Sequence, residues 1–165
     1  MIFDLYNKKE VKLIRAAFAG KTIGFTSGSF DLFHATHADY LDCCRRHCGH
    51  DGILIVGVDS DHLIRQRKGT KRPVVPEFDR LRLVEGRKCV AAAFILGTVE
   101  DFGYATEILG VKYIFKNQEY IKEKVQGAEV PGVELVIVPD FQRTESTSEL
   151  IKKILETNGS KEEGK

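Results

Sequence analysis

The chain has 165 residues, enough for one domain with a sizeable buried core. Hydrophobic residues make up 42% and charged residues 30%, an ordinary soluble composition that points away from disordered, fibrous and membrane classes. The net charge of +1 gives no electrostatic argument for nucleic acid or a membrane surface as partner, and no apolar run is long enough to span a bilayer.

Residues 1–10 mix acidic and basic side chains and carry no signal-peptide pattern, so a cytoplasmic protein is expected. Residues 8–19 place Val11, Leu13, Ile14, Ala17 and Phe18 at helical spacing, with Gly20 as the stop. That helix is expected on a sheet or at a subunit contact, and a homodimer is expected. Residues 22–25 form a short apolar strand. A glycine-containing turn, residues 28–37, follows it and leads into a helix from 38 to about 47.

The run 53–58 is continuously β-branched and apolar, the pattern of a parallel strand buried on both faces. Asp59, Ser60 and Asp61 stand at its C-terminal end, where open α/β sheets gather ligands. A plain helix cap or Asx turn explains the three residues equally well. Residues 62–70 are a basic polar segment containing Arg65, Arg67 and Lys68, and 71–76 a stiff proline-bounded link. A helix is predicted over 77–88, with Phe78, Leu81 and Val84 turned inward and Arg80, Arg82 and Arg87 available. Strands are predicted over 90–96, 111–116 and 133–138, and helices over 100–109 and from 146 to about 156.

Strands alternating with helices predict an α/β fold: a single-domain, Rossmann-like, doubly wound parallel sheet of about five strands. The domain is placed at residues 1–157, with a frayed polar tail at 158–165. Cys43, Cys44 and Cys48 cluster around His47, but the spacing is not that of a zinc finger. Small apolar packing groups on a helix face are the expected reading, and no protein-bound metal is predicted.

The chemistry concentrates at the 28–37 turn. A helix N-terminus presents unpaired N–H groups and the positive end of the helix dipole, which suits phosphate. His34 and His37, three residues apart, share one helical face and can donate to the same phosphoryl oxygens. A second cradle is predicted at the last helix. Ser146 or Thr147 caps it, and Glu149 stands three residues after Ser146, as a capping box requires.

The residues Gly28-Ser29-Phe30-Asp31, then His34-Ala35-Thr36-His37, resemble the G-x-F-D-x-x-H-x-G-H signature of the cytidylyltransferase-like nucleotidyltransferases, with Thr36 in place of the usual glycine. Arg143-Thr144-Glu145-Ser146-Thr147-Ser148 resembles the family's R-T-x-G-I-S-T/S-T/S motif, one or two residues shorter. Lys68-Gly69, Arg72-Pro73 and Asp79-Arg80 resemble its K-G-x-x-R-P…D/E-R segment. Within the family the adenylyltransferase domain of bacterial ADP-heptose synthase is most similar, on residues 57–61, Lys68 to Pro73, Phe115-Lys116 and 126–130. That branch has Lys-Gly-Gly where this chain reads Lys116-Asn117-Gln118.

The resemblance implies transfer of a nucleoside monophosphate from ATP or CTP to a phosphorylated small molecule, with Mg²⁺ carried mainly on the nucleotide phosphates. It implies His34, His37 and Lys68 as catalytic residues. Gly28, Ser29, Phe30, Asp31, Arg143, Ser146 and Thr147 would hold the nucleotide, and Asp59, Asp61, Arg72 and Lys116 the acceptor. A CTP-dependent enzyme for a phosphoalcohol and a nucleotide-binding module without catalysis are the alternatives. A dinucleotide oxidoreductase is disfavoured, since no G-x-G-x-x-G follows the first strand.

Overall fold

The structure is a computed structural model that describes residues 1–118, 125–139 and 146–159. Its elements, in order, are α1 (Lys8–Ala17), β1 (Ile23–Gly28), α2 (Ala35–His47), β2 (Ile53–Asp59), α3 (Asp61–Lys68), α4 (Glu77–Glu85), β3 (Ala92–Leu96), α5 (Glu100–Ile108), β4 (Tyr113–Asn117), β5 (Glu134–Val138) and α6 (Thr147–Gly159). The five strands form one sheet in the order β3-β2-β1-β4-β5, and each neighbouring pair is parallel. The chain winds outward from β1 to β3, then returns to the other side of β1 for β4 and β5. The reversal lies between β1 and β4, where such sheets open a crevice at the strand C-termini.

Period-two alternation divides the apolar residues between two cores. Phe25, Ile55, Phe94 and Ile114 face α1, α3 and α5 through Ile14, Leu63 and Phe102. Leu54, Val56, Ala93 and Phe115 face α2 and α4 through Leu41, Cys44, Leu81 and Val84. Cys44 and Cys48 are buried packing residues of that second core, and burial pushes both thiols above their ordinary range. The His47 ring stands edge-on to Tyr113 and Phe115.

Two expectations change, and one contact is added. The basic segment after β2 is the helix α3: Ser60 caps it by accepting the Leu63 N–H at 3.1 Å, and Gly69, at φ +86°, ends it. In α4, Leu81 and Val84 are buried as predicted, but Phe78 is 67% exposed and Arg80 fully buried, the reverse of what was predicted for those two. Hydrophobicity alone assigned the facing, and the polar partners described below reverse it. Met1 to Phe3 run beside β3, with Ile2 bridged in parallel to Ala93, so that edge strand is covered.

Candidate active site

The β1–α2 turn is held in an unusual backbone. Phe30 and Leu32 both adopt left-handed φ, at 49° and 48°, a conformation that costs free energy in non-glycine residues and needs outside support. Asp31, between them, supplies it. Its carboxylate accepts the N–H groups of Val74 and Val75 at 3.0 Å and the Arg72 Nε at 2.8 Å. Burial works against ionisation of Asp31, but the amides of Val75 and Val74 together with Arg72 outweigh it and hold the carboxyl below its ordinary range. Arg80 closes the arrangement from below. Its guanidinium donates to the Ser29 carbonyl, to the Val75 carbonyl at 2.8 Å and to Asp61 Oδ1 at 2.8 Å. The 71–76 link and the signature turn are thus clamped to each other through two charged side chains. The Phe30 ring lies where a Cβ on Gly28 would point, 3.2 Å away, so the glycine makes room for the turn's own aromatic.

On this support α2 begins at Ala35, with His34 as its N-cap residue. The His34 and His37 rings stack at 3.9 Å between centroids, and Phe30 and Phe33 flank His37 at 5.5 Å. His37 Nδ1 accepts the backbone N–H of His34 at 3.4 Å. Burial lowers the His37 pKa to about 3, with the neighbouring His34 and Lys68 adding to the shift. The ring is therefore neutral at working pH. With Nδ1 accepting, its one proton sits on Nε2, a donor for a phosphoryl oxygen.

This has a consequence for stability. His37 is harder to protonate folded, at about 3, than unfolded, at 6.5. Between those values the unfolded chain binds more protons, so stability is present above pH 6.5 and is lost as pH falls towards 3. The His37 contribution approaches 1.4 kcal/mol per pH unit. Urea midpoints measured from pH 7 to 4.5 should fall less steeply for His37→Phe than for the unmodified chain; equal slopes would exclude this origin.

The second predicted cradle comes to the same place. Thr147 Oγ1 donates to the Asp31 carbonyl at 2.7 Å, which seats the first residue of α6 on the signature turn. The capping box forms as expected: Ser146 Oγ accepts the Glu149 N–H at 3.3 Å, and Glu149 accepts the Ser146 N–H at 2.6 Å. The N-termini of α2 and α6 thus converge on one turn. Lys68, at the end of α3, is near enough for its charge to act on His37. Arg143 lies outside the described residues.

The residues expected to meet the acceptor divide. Asp59 and Lys116 line a cavity of about 190 Å³ on the α3 and α5 side of β1. Asp61 and Arg72 do not line it: Asp61 is engaged by Arg80 and Arg72 by Asp31. Sequence reasoning missed Ser27 and Arg67, which also line the cavity. A helical reading of residues 61–68 would have found Arg67 by setting it one turn after Leu63.

The cytidylyltransferase-like family profile matches residues 25–154. The chain belongs to that family. It is 35% identical over 137 residues to the "Bifunctional protein HldE" of Helicobacter pylori strain J99, and 36% identical over 142 residues to that of Citrifermentans bemidjiense. Both matches cover 82% of this chain, which spans only 28% of the length of these relatives. A lipopolysaccharide core biosynthesis protein from Thermoplasma volcanium superposes with a TM-score of 0.59 at 22% identity, covering 75% of this chain and 99% of its own. Pantothenate synthetase from Thermus thermophilus superposes at 0.56 with 15% identity, covering 90% of this chain and 75% of its own. These structures share the fold of this nucleotidyltransferase-like chain. The stacked histidines, the Asp31 clamp and the α6 N-terminus all lie within the matched residues. Among the described residues no helix is long and apolar enough to cross a membrane.

Proposed function

We propose that the chain transfers AMP from ATP to a sugar phosphate of the heptose 1-phosphate kind and releases pyrophosphate. The observation that carries the reading is the meeting of two helix N-termini at the signature turn, joined by the hydrogen bond from Thr147 to Asp31. Each N-terminus offers unpaired N–H groups to phosphate. The heptose assignment rests on the HldE relatives and on the stretches at residues 57–61, Lys68 to Pro73 and 126–130.

An oxygen of the acceptor phosphate attacks the α-phosphorus in line. The bond from that phosphorus to the bridging oxygen breaks, and pyrophosphate leaves with the electron pair. No covalent enzyme intermediate is required, and catalysis consists of positioning and of stabilising charge on the phosphoryl oxygens. His37 donates from Nε2 to an α-phosphate oxygen. His34 donates beside it, towards the bridging oxygen as charge develops there. Lys68 and Arg143 neutralise the triphosphate. Ser146 and Thr147, with the α6 N-terminus, hold the departing pyrophosphate. Gly28, Ser29 and Phe30 shape the floor, and Asp31 holds the turn. Asp61 and Arg72 support that turn through Arg80 and Asp31, while Asp59 and Lys116 face the acceptor.

Asp31, whose charge acts on His37, has its oxygens engaged by Arg72, Val74 and Val75. With Asp31 so engaged, a Mg²⁺ would be held mainly by the nucleotide. When bound, the ion supplies charge neutralisation on the triphosphate.

The experiment is pyrophosphate release with Mg²⁺ from ATP and from CTP, against sugar 1-phosphates and small phosphoalcohols. Release with ATP and a heptose or hexose 1-phosphate is expected. Release only with CTP and a phosphoalcohol would replace the adenylyl assignment with a cytidylyl one. Nucleotide binding without pyrophosphate from any pair would overturn the enzymatic reading.

A further inference from the structure

Arg87 stands between the end of α4 and the start of β3, and its position is not explained by its charge partner. Its Nη2 lies 3.8 Å from Asp42 Oδ2 of α2, and both side chains are more than a third exposed, so the pair contributes little. The Cys89 thiol is hydrogen-bonded to the same carboxylate. The Arg87 Nε is buried and has no hydrogen-bond partner among the described residues, an arrangement that costs free energy. What the guanidinium meets is an aromatic ring. Its central carbon stands 5.9 Å over the centroid of Phe33, inside the ~6 Å range of a cation–π contact.

Phe33 passes that contact to the histidine turn. Its ring centre is 5.5 Å from that of His37, at an interplanar angle of 40°. Phe30 meets the same imidazole near edge-on, at 66°, and His34 lies closer to parallel with it, at 28°. Phe33 is half-buried and packs against the second core without belonging to its centre. A half-buried ring has fewer neighbours to fix its rotamer than a core ring, and a planar group lying over it restricts it further. Arg87 supplies that group from a distant segment of the chain.

We propose that Arg87 is a positioning residue of the histidine site: it fixes the Phe33 ring, and through that ring the direction in which His37 presents Nε2, without touching the nucleotide. The consequence for turnover rests on the transfer reading, while the effect on the imidazole does not. Arginine suits the task. Its flat, delocalised and weakly hydrated guanidinium lies readily on an aromatic face, whereas the ammonium of lysine keeps its water. Asp42 draws on the outer end of the guanidinium and so limits how it can slide across the ring. Aim matters because a donor to a phosphoryl oxygen acts through preorganisation, and a small misplacement of a reacting group is costly.

The test has two readouts, both on the whole chain. The ring-nitrogen signals of His37, assigned by comparison with His37→Ala, are recorded by ¹H–¹⁵N NMR without any ligand. Arg87→Met is expected to shift and broaden them, Lys88→Met to leave them in place, and Arg87→Lys to fall between. Pyrophosphate release is then followed with ATP, Mg²⁺ and the sugar 1-phosphate that supports release in the unmodified chain. Arg87→Met should lower kcat by about 2- to 5-fold, the worth of a cation–π contact at a partly exposed site. It should leave the KM for ATP unchanged and cost nothing further in a His37→Ala background. Unaltered His37 signals, or the same loss with and without His37, would overturn the proposal. A raised KM for ATP would also overturn it, by making Arg87 a nucleotide ligand. Altered His37 signals in a chain that releases no pyrophosphate with any acceptor would instead overturn the transfer reading and leave the positioning role standing.

Discussion

Replacing His37 by alanine should lower the rate of pyrophosphate release by about 10²–10³-fold, with little change in nucleotide KM. The magnitude is that of one preorganised donor lost from a developing oxyanion, about 2.7–4 kcal/mol of barrier. The selective effect on turnover follows because the donor gains most where phosphoryl charge grows, in the transition state rather than in the bound substrate. Three independent features suit His37 to that role. Nδ1 is occupied by the His34 N–H, burial keeps the ring neutral, and packing by Phe30, Phe33 and His34 restricts its orientation. His37→Gln, which keeps an amide donor, should recover part of the loss. The comparison requires circular dichroism spectra that match the unmodified chain. Unreduced turnover in a folded His37→Ala would remove this residue from the mechanism.

The second large effect falls on a residue that touches no substrate. Arg80→Leu should destabilise the fold by roughly 3–5 kcal/mol, the range for breaking a buried ion pair from one side. For a chain of this size the melting temperature should then fall by about 6–20 °C. The substitution leaves Asp61 with only the more distant Arg65, at 3.5 Å, as ion-pair partner among the described residues and strips the Ser29 and Val75 carbonyls of their donor. Those carbonyls belong to the signature turn and to the link that meets Asp31, so activity should fall at temperatures where the variant is still folded. Arg80→Lys keeps the charge and loses the fork, and should rank between the two. Chemical denaturation measures the difference. A loss below about 1 kcal/mol would show that water replaces the guanidinium at little cost, and the clamp would lose its assigned role.

Much of this molecule is legible in its residues taken in order. The β-branched run of β2, the glycines after α1 and α5, and the capping box of α6 each report on a few neighbouring positions. Strand and helix propensity, alternation and capping depend on those same few positions, so they can be read without a fold. The expected parallel sheet follows from such local signals, and the family profile agrees with the resemblance that the residues of the 28–37 turn carry.

Other features depend on groups far apart in the chain. Arg80 looked like an available cation because a lone arginine is mostly solvated. It is buried because its acceptors come from Ser29, Asp61 and Val75, on three separate segments. Asp31 and Arg72, read separately as nucleotide and acceptor contacts, are each other's partner across 41 residues. Asp59 and Asp61 look equivalent in sequence, yet one enters the cavity and the other is spent on Arg80, since the strand ends between them and α3 begins. By itself, then, the sequence determined the alternating α/β elements and the capping of α6, because periodicity and capping are local. Only the tertiary structure decided which charges are consumed in holding that turn and which line a cavity, because a salt bridge or a pocket exists only once distant segments have been brought together.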